Sequence, residues 1–416
     1  MKSKIKKTVS IMITVLMVFI ILPNASASAK GIEKNAKIKL WVPDAECGIA
    51  KKAVKQFAKK YKKKKIKITV KAYSEPDAST MLLSDMESAA DVCAVGSSDL
   101  TQLVKAKCIK TIKNSYAKKI KKSEAEKAVS AFKLKKKLYA FPRAAQSYCL
   151  VYDKSVVSPA QAKTFEGVLE ACKDKNKKFI MDAGNGYYSC MFLFTGGLRF
   201  KGLKNDGVTQ KFNNYNRNEI VAAIKAFSIL MHKYNGTFKS LAVSNIPADF
   251  TSTKTKKATC GAGIDGLWDY SVNKHALGDN FGAAKLPTIK IGEKDRQIYN
   301  MFGYTGYVIK KGTKYPKAAQ ALASYISGKT YQKKRIKKNI MPVNKSLLRS
   351  DTVNNHPMLN ALAQQQKYSV AQANLSMFIW DPMGNMGNKI VSKKTNPETF
   401  DFNNLVKKTI KNMQDL

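Results

Sequence analysis

Residues 258 to 287 read ATCGAGIDGLWDYSVNKHALGDNFGAAKLP. The segment predicts a short strand, a glycine turn centred on Gly266-Leu267-Trp268, and a helix with the tryptophan at its mouth. A large rigid aromatic directly after such a turn stands where backbone amides and a flat apolar face can meet a ligand together. Sugar rings, with apolar C–H faces and a rim of hydroxyls, suit that pairing.

Outward from this segment the pattern alternates strand and helix. Ile38, Leu40 and Val42 share one face of a strand over Lys37 to Val42, which Pro43 ends. Ile49, Ala53, Val54, Phe57 and Tyr61 then recur at helical spacing, and Ile66, Ile68 and Val70 return to a period of two, so the order is a βαβ unit. Further strands are expected over Ala89 to Val95, Tyr148 to Tyr152 and Lys178 to Met181. Helices are expected over Leu100 to Lys107, Ile220 to Tyr234, and from Pro316 to just before Gly328. Phe141-Pro142 reads as the lead-in to the strand at Tyr148.

At the start of the chain, Lys2, Lys4, Lys6 and Lys7 precede an apolar run from Ile11 to Leu22 and the small residues Ala25, Ala27 and Ala29. This is the pattern of a secretory leader over 1–29. No cysteine lies near its end, so a lipid anchor has no attachment point there. The chain beyond residue 29 is long enough for two lobes and a cleft. The 416-residue chain carries 74 Lys and Arg against 29 Asp and Glu, a net charge of +45. Export and the lack of a reading motif argue against nucleic acid. Anionic wall polymers or a membrane surface are the expected polyanionic partners. The seven cysteines are odd in number and irregular in spacing, unlike a disulfide framework.

The opening segment, with its tail Leu277 to Pro287, resembles the sugar-binding subunits of bacterial ABC importers, the maltose/maltodextrin-binding group in particular. Three other stretches carry the same resemblance. Leu138-Tyr139-Ala140-Phe141-Pro142 leading to Val151-Tyr152-Asp153-Lys154 is similar to the family's crossing strand, Phe302 to Tyr307 to its return crossing, and Trp380-Asp381-Pro382-Met383-Gly384 to a tryptophan-bearing element. The resemblance implies an α/β, two-lobe periplasmic-binding-protein-like fold (type II), each lobe a sheet flanked by helices. One lobe is expected over 30–146 plus 306–350, the other over 147–305 plus 351–416, with the ligand in the cleft between them and closure by hinge bending.

The candidate ligand-binding residues are those that meet a sugar's needs: aromatic platforms beside carboxylates and amides. Trp268 is the first platform. Tyr187, which the resemblance would stack on a sugar, and Tyr188 come directly after the turn Gly184-Asn185-Gly186, and Trp380 is comparable, with core packing as its alternative. Trp41 reads as core. Asp44 and Glu46 lie just beyond the first strand, where open α/β sheets bind ligands. Ser98 and Asp99 occupy the matching loop after the Ala89 strand, Asp99 having helix capping as an alternative. Gln146 falls on the crossing strand where the family often has a carboxylate. Gly261 to Gly266 matches GxGxxG literally, without the N-terminal βαβ setting that a dinucleotide fingerprint requires. The three histidines, His232, His275 and His356, lack metal-ligand spacing, and no catalytic motif is present. The expectation is a non-catalytic, monomeric, cofactor-free and metal-free binding protein that delivers an oligosaccharide to a membrane ABC permease. The alternatives are a binder of another or anionic glycan, a glycoside hydrolase and a wall-adhesion protein.

Overall fold

The βαβ unit read from the first seventy residues seeds one of two sheets. The computed structural model describes residues 31–242, 246, 250 and 259–414, so the leader expected over 1–29 lies outside the described residues. Strand β1 (Lys37–Val42), helix α1 (Cys47–Lys60) and strand β2 (Lys67–Ala72) come in that order. β1 and β2 pair in parallel along their whole length, from Lys37 opposite Lys67 to Val42 opposite Ala72. β3 (Val92–Gly96) flanks β1 on the other side. It begins later than the sequence implies because the Ala89 N–H is turned back onto the Asp85 carbonyl at 3.2 Å.

The segment expected as a lead-in at Phe141-Pro142 is itself a strand, β4 (Ala140–Gln146). Proline is tolerated there for two reasons. Among the strands β4 pairs only with β10 (Asn300–Ile309), and its outer edge makes a single bridge, Ala145 with Met341, so no ladder runs past the proline there. The register also shifts, Thr305 facing Ala144 and Gly306 facing Pro142, which leaves Arg143 as an extra bulged residue. β10 pairs antiparallel with β3 and parallel with β11 (Ser369–Gln372), so the first sheet runs β11-β10-β3-β1-β2 with β4 on β10.

The second sheet contains β5 (Tyr148–Asp153), β6 (Lys178–Met181), β7 (Phe238–Ser240), β8 (Cys260–Gly266) and β9 (Phe281–Ala284), in the order β7-β6-β8-β5-β9. β5 is fully buried, with Tyr148, Leu150 and Tyr152 in one apolar cluster and Cys149 and Val151 in the other, as the two faces of a covered strand require. The glycines of the GxGxxG match lie inside β8, bonded to β5 and β6 on either side, which leaves no phosphate-binding loop.

Only Ser147 separates β4 of one sheet from β5 of the other. Its hydroxyl donates to the Met301 carbonyl at 2.5 Å, and the Asn300 amide donates to the Ser147 hydroxyl and the Tyr148 carbonyl at 2.9 and 2.8 Å. Both side chains are fully buried. This polar knot ties together two of the strands at which the lobes meet. Among the described residues, no helix is long and apolar enough to cross a membrane. None of the seven cysteines forms a disulfide, and burial pushes the thiols of Cys93, Cys172 and Cys190 up to about 12, so these three pack as small apolar groups.

Candidate functional site

Two adjoining cavities of 360 and 300 Å³ open at the carboxyl ends of β1 and β3 and share Glu75, Gln146 and Thr305 as lining. Open α/β sheets bind ligands at this edge, where loops diverge and helix N-termini converge. The first cavity is polar: Ser79, Ser98, Asp99, Gln102, Gln146 and Gln372 line it. The second brings Trp268 and Ser271, which follow a strand of the second sheet, against Glu46, Arg143 and Gln146, which follow or belong to strands of the first. A third, of 540 Å³, adjoins at Pro43 and Glu75 and includes Asp44.

Trp268 is built into this position by its own turn. Earlier in the chain, helix α2 (Glu75–Ser84) borders the cleft, and helix α3 (Gly186–Thr195) sets Tyr187 beside Trp268. β8 then ends at Gly266, a short 3-10 turn covers Leu267–Asp269, and helix α4 (Tyr270–Leu277) begins behind it. The indole folds back over Gly266, where a Cβ would lie 2.0 Å from the ring, so no other residue fits. The Leu267 N–H donates to the Ser147 carbonyl at 3.2 Å, fastening the turn to the crossing segment. Trp268 remains 48% exposed, against 6% for Trp41, which stacks on Tyr73 in the core as expected. A large aromatic left half open at a cavity wall is the exception that asks for a ligand.

Beneath the turn lies Asp265, fully buried. It accepts from the Gly266 N–H and the Asn273 amide, each at 2.6 Å. Burial, with the neighbouring Asp269 adding to it, pushes its carboxyl up to about 8.

The other expected site residues divide. Tyr187 is half-buried against the second core, its ring centroid 6.3 Å from that of Trp268, and lines none of the three cavities. Tyr188 does not face the cleft: it is 3% exposed and packs against Tyr148, because the first turn of α3 directs it inward. Trp380 is half-buried against the second core, and its carbonyl presses on Gly186, so it buttresses the Tyr187 turn rather than lining either cavity. Ser98 and Asp99 line the first cavity, and Asp99 accepts from Ser79 and Ser98 at 2.6 and 2.9 Å and makes no helix-capping bond. Asp44 is exposed. Glu46 borders the second cavity, yet its carboxylate is taken up by Arg143 and, at 2.5 Å, by Arg335. Burial pushes its pKa up, but the two guanidinium groups outweigh this and hold it below the usual range.

Glu75 and Arg143 are absent from the sequence reading. Glu75 opens α2 and lines all three cavities, 2.5 Å from the Arg143 guanidinium. The helix-start signature Ser74-Glu75-Pro76, with the Ser74 hydroxyl accepting from the Asp77 N–H at 3.1 Å, is the signal that could have placed it. No signal was available for Arg143, since only the bulge turns it inward.

The family model for bacterial extracellular solute-binding proteins matches residues 52–361. The chain belongs to that family. Among relatives of this solute-binding protein is the galactooligosaccharide-binding protein of Bacillus subtilis, 21% identical, the match covering 90% of this chain and 89% of the relative. The fold matches the unliganded maltodextrin-binding protein MalE1 of L. casei with a TM-score of 0.79 at 23% identity, over 92% of this chain and all of that one. It also matches the maltose-binding protein of Listeria monocytogenes in complex with maltose, with a TM-score of 0.73 at 19% identity, over 92% and 97%. These likenesses establish the two-lobe type II binding-protein fold for this solute-binding chain.

Proposed function

We propose that this solute-binding protein captures a maltodextrin in the interlobe cleft, as a monomer and without catalysis, and delivers it to an ABC permease. The lobes are taken as 30–146 plus 306–350 and 147–305 plus 351–416. The observation that carries the reading is Trp268, half exposed over the second cavity beside Gln146 and Glu75, with Ser98 and Asp99 in the adjoining first cavity. Stacking fixes a ring face while the polar groups select among hydroxyls. A hydrolytic reading finds no support in Glu46, which two arginines keep ionised and therefore unable to donate a proton as a general acid.

Galacto-oligosaccharides are the second reading, favoured by the Bacillus subtilis relative, which matches across 90% of the chain. Titration calorimetry with maltose, maltotriose, maltotetraose and a galacto-oligosaccharide series, with product analysis of each mixture, tests both. Saturable heat with the malto series supports the first reading, and preference for the galacto series replaces it with the second. Binding of neither class, or appearance of shorter products, overturns both. Outside the cleft, the basic surface is proposed to hold the protein in the cell envelope through an anionic polymer.

A further inference from the structure

Two stretches of the chain are strongly basic and free of acidic residues. Between Cys47 and Ser74 there are eleven lysines and no Asp or Glu; between Lys310 and Ser350 there are ten lysines, two arginines and again no acidic residue. These stretches are far apart in sequence, but the fold sets them side by side. α1 packs against α5 (Pro316–Ile326) and α6 (Lys329–Ile336). The Tyr331 hydroxyl donates to the Gln56 side chain at 2.7 Å, and Phe57 meets Tyr325 with ring centroids 5.5 Å apart. The outward side of this pair of elements exposes Lys51, Lys52, Lys55, Lys59, Lys60, Lys62, Lys63 and Lys65 beside Lys329, Lys333 and Lys337.

Two features mark this face. Lys52, Lys55 and Lys59 recur at one per helical turn, a repeat of about 5.4 Å, and Lys62 and Lys63 prolong the ridge beyond the helix. No large apolar side chain is exposed on the face, since those that are exposed lie at Leu83, Ile229, Leu241, Trp268, Val272, Met377 and Phe378. An evenly charged ridge without an apolar foot fits a flexible polyanion rather than a bilayer, into which a surface-binding element inserts apolar side chains.

We propose that this face, α1 with the Lys62–Lys65 turn and α6, is a docking surface for a phosphodiester-linked polymer of the cell envelope. The proposal rests on the extracellular placement of the family and not on which sugar the cleft takes. The Lys55–Lys65 end of the face lies away from the cleft, whereas α6 runs toward it, with Lys338 just past that helix lining the second cavity. Glu46, at the head of α1, borders the cleft, and the fourteen residues of α1 carry the chain about 21 Å away before Lys62 is reached. The Asn35 N–H bonds the Lys64 carbonyl at 2.7 Å, fixing that end of the ridge to the sheet edge remote from the ligand. Association releases condensed counterions and so weakens steeply with salt.

The test compares the wild-type protein (residues 30–416) with two variants of equal charge. One carries Lys55→Gln, Lys59→Gln, Lys62→Gln and Lys63→Gln; the control carries Lys201→Gln, Lys211→Gln, Lys407→Gln and Lys408→Gln in the second lobe. Binding to soluble poly(glycerol phosphate) is measured over a salt series, with phosphatidylglycerol vesicles as a second arm. The first variant is expected to bind the polymer about tenfold more weakly with a shallower salt dependence, and the control within about twofold of wild type. Equal losses in both variants, or vesicle binding without polymer binding, overturns the proposal. Heats with the cleft's oligosaccharide, unchanged in both variants, show that the cleft and the fold are intact; a failure of sugar binding in wild type falls on the cleft reading alone.

Discussion

Trp268 and Asp265 sit on either side of one glycine turn, and their roles are opposite. Trp268 is proposed to stack its half-exposed ring on the ligand. Trp268→Ala is expected to weaken oligosaccharide binding by about 1–3 kcal/mol, the range for a large apolar side chain losing its buried face, while unfolding in urea is little changed. Calorimetry beside a urea titration distinguishes this from a packing role, in which stability would fall and affinity with it. Asp265 is buried and raised to about 8, so between about pH 4 and pH 8 the folded protein holds a proton that the unfolded chain has released. Stability is therefore greatest at the acid end of that interval and falls as pH rises through it. Asp265→Asn cannot ionise. Its amide can donate to the Asn273 carbonyl oxygen, a buried acceptor without a partner, once that side chain turns over. The substitution should flatten the difference in melting temperature between pH 5 and pH 8, and an unaltered difference would assign it to other groups.

At the scale of elements, close approach and buried charge do most to hold the site. The helix that begins at Trp380 and ends at Val391 lies so near the loop before α3 that a Cβ at Gly387 would fall 1.9 Å from the Ala183 carbonyl. Gly387→Ala is expected to destabilise by about 1–3 kcal/mol through overpacking, read as a shifted urea midpoint. It should also loosen Tyr187 and weaken binding. The bulge at Arg143 matters differently. Arg143→Met would leave Glu46 with Arg335 as its one remaining guanidinium and Glu75 with no ion-pair partner among the described residues, at a cost of about 3–5 kcal/mol for breaking a buried pair. Adding Glu46→Gln should recover part of that loss. If the double variant is no better than the single, the charge network is not what the arginine supports.

Across the whole molecule the cleft is also bridged directly. The Asn339 amide, just past α6, donates to the Ser271 hydroxyl of α4 at 2.9 Å. A surface hydrogen bond of this kind contributes about 0.5–1.5 kcal/mol, enough to bias the balance between open and closed forms. Asn339→Ala should increase the radius of gyration of the ligand-free protein in small-angle scattering and raise the apparent Kd up to about tenfold, because less of the binding-competent form is present. A change in Kd with no change in ligand-free shape would mean that Asn339 touches the sugar instead. The fold was legible from sequence where each element carries its own period, as in β1, α1 and β2. It was misread at Phe141-Pro142, where a one-sided partner and a bulge admit a proline that the local pattern excludes.

Much of the site was legible for the same reason. Trp268, Gln146, Ser98 and Asp99 lie at element ends, and an element's end is written in its own residues: the apolar period stops and a turn or cap begins. The secretory pattern and the charge excess are likewise properties of the chain alone. Burial and pairing are not, because they depend on which distant segment arrives. Tyr188 turns inward, Trp380 becomes a buttress and Glu46 is claimed by two arginines only once β4, α3 and α6 are packed together. Glu75 emerges at the meeting of three cavities in the same way. The chain's own order determined two lobes and a tryptophan at a turn; tertiary packing decided which polar groups still face the cleft, and it gathered two acid-free stretches into one basic face.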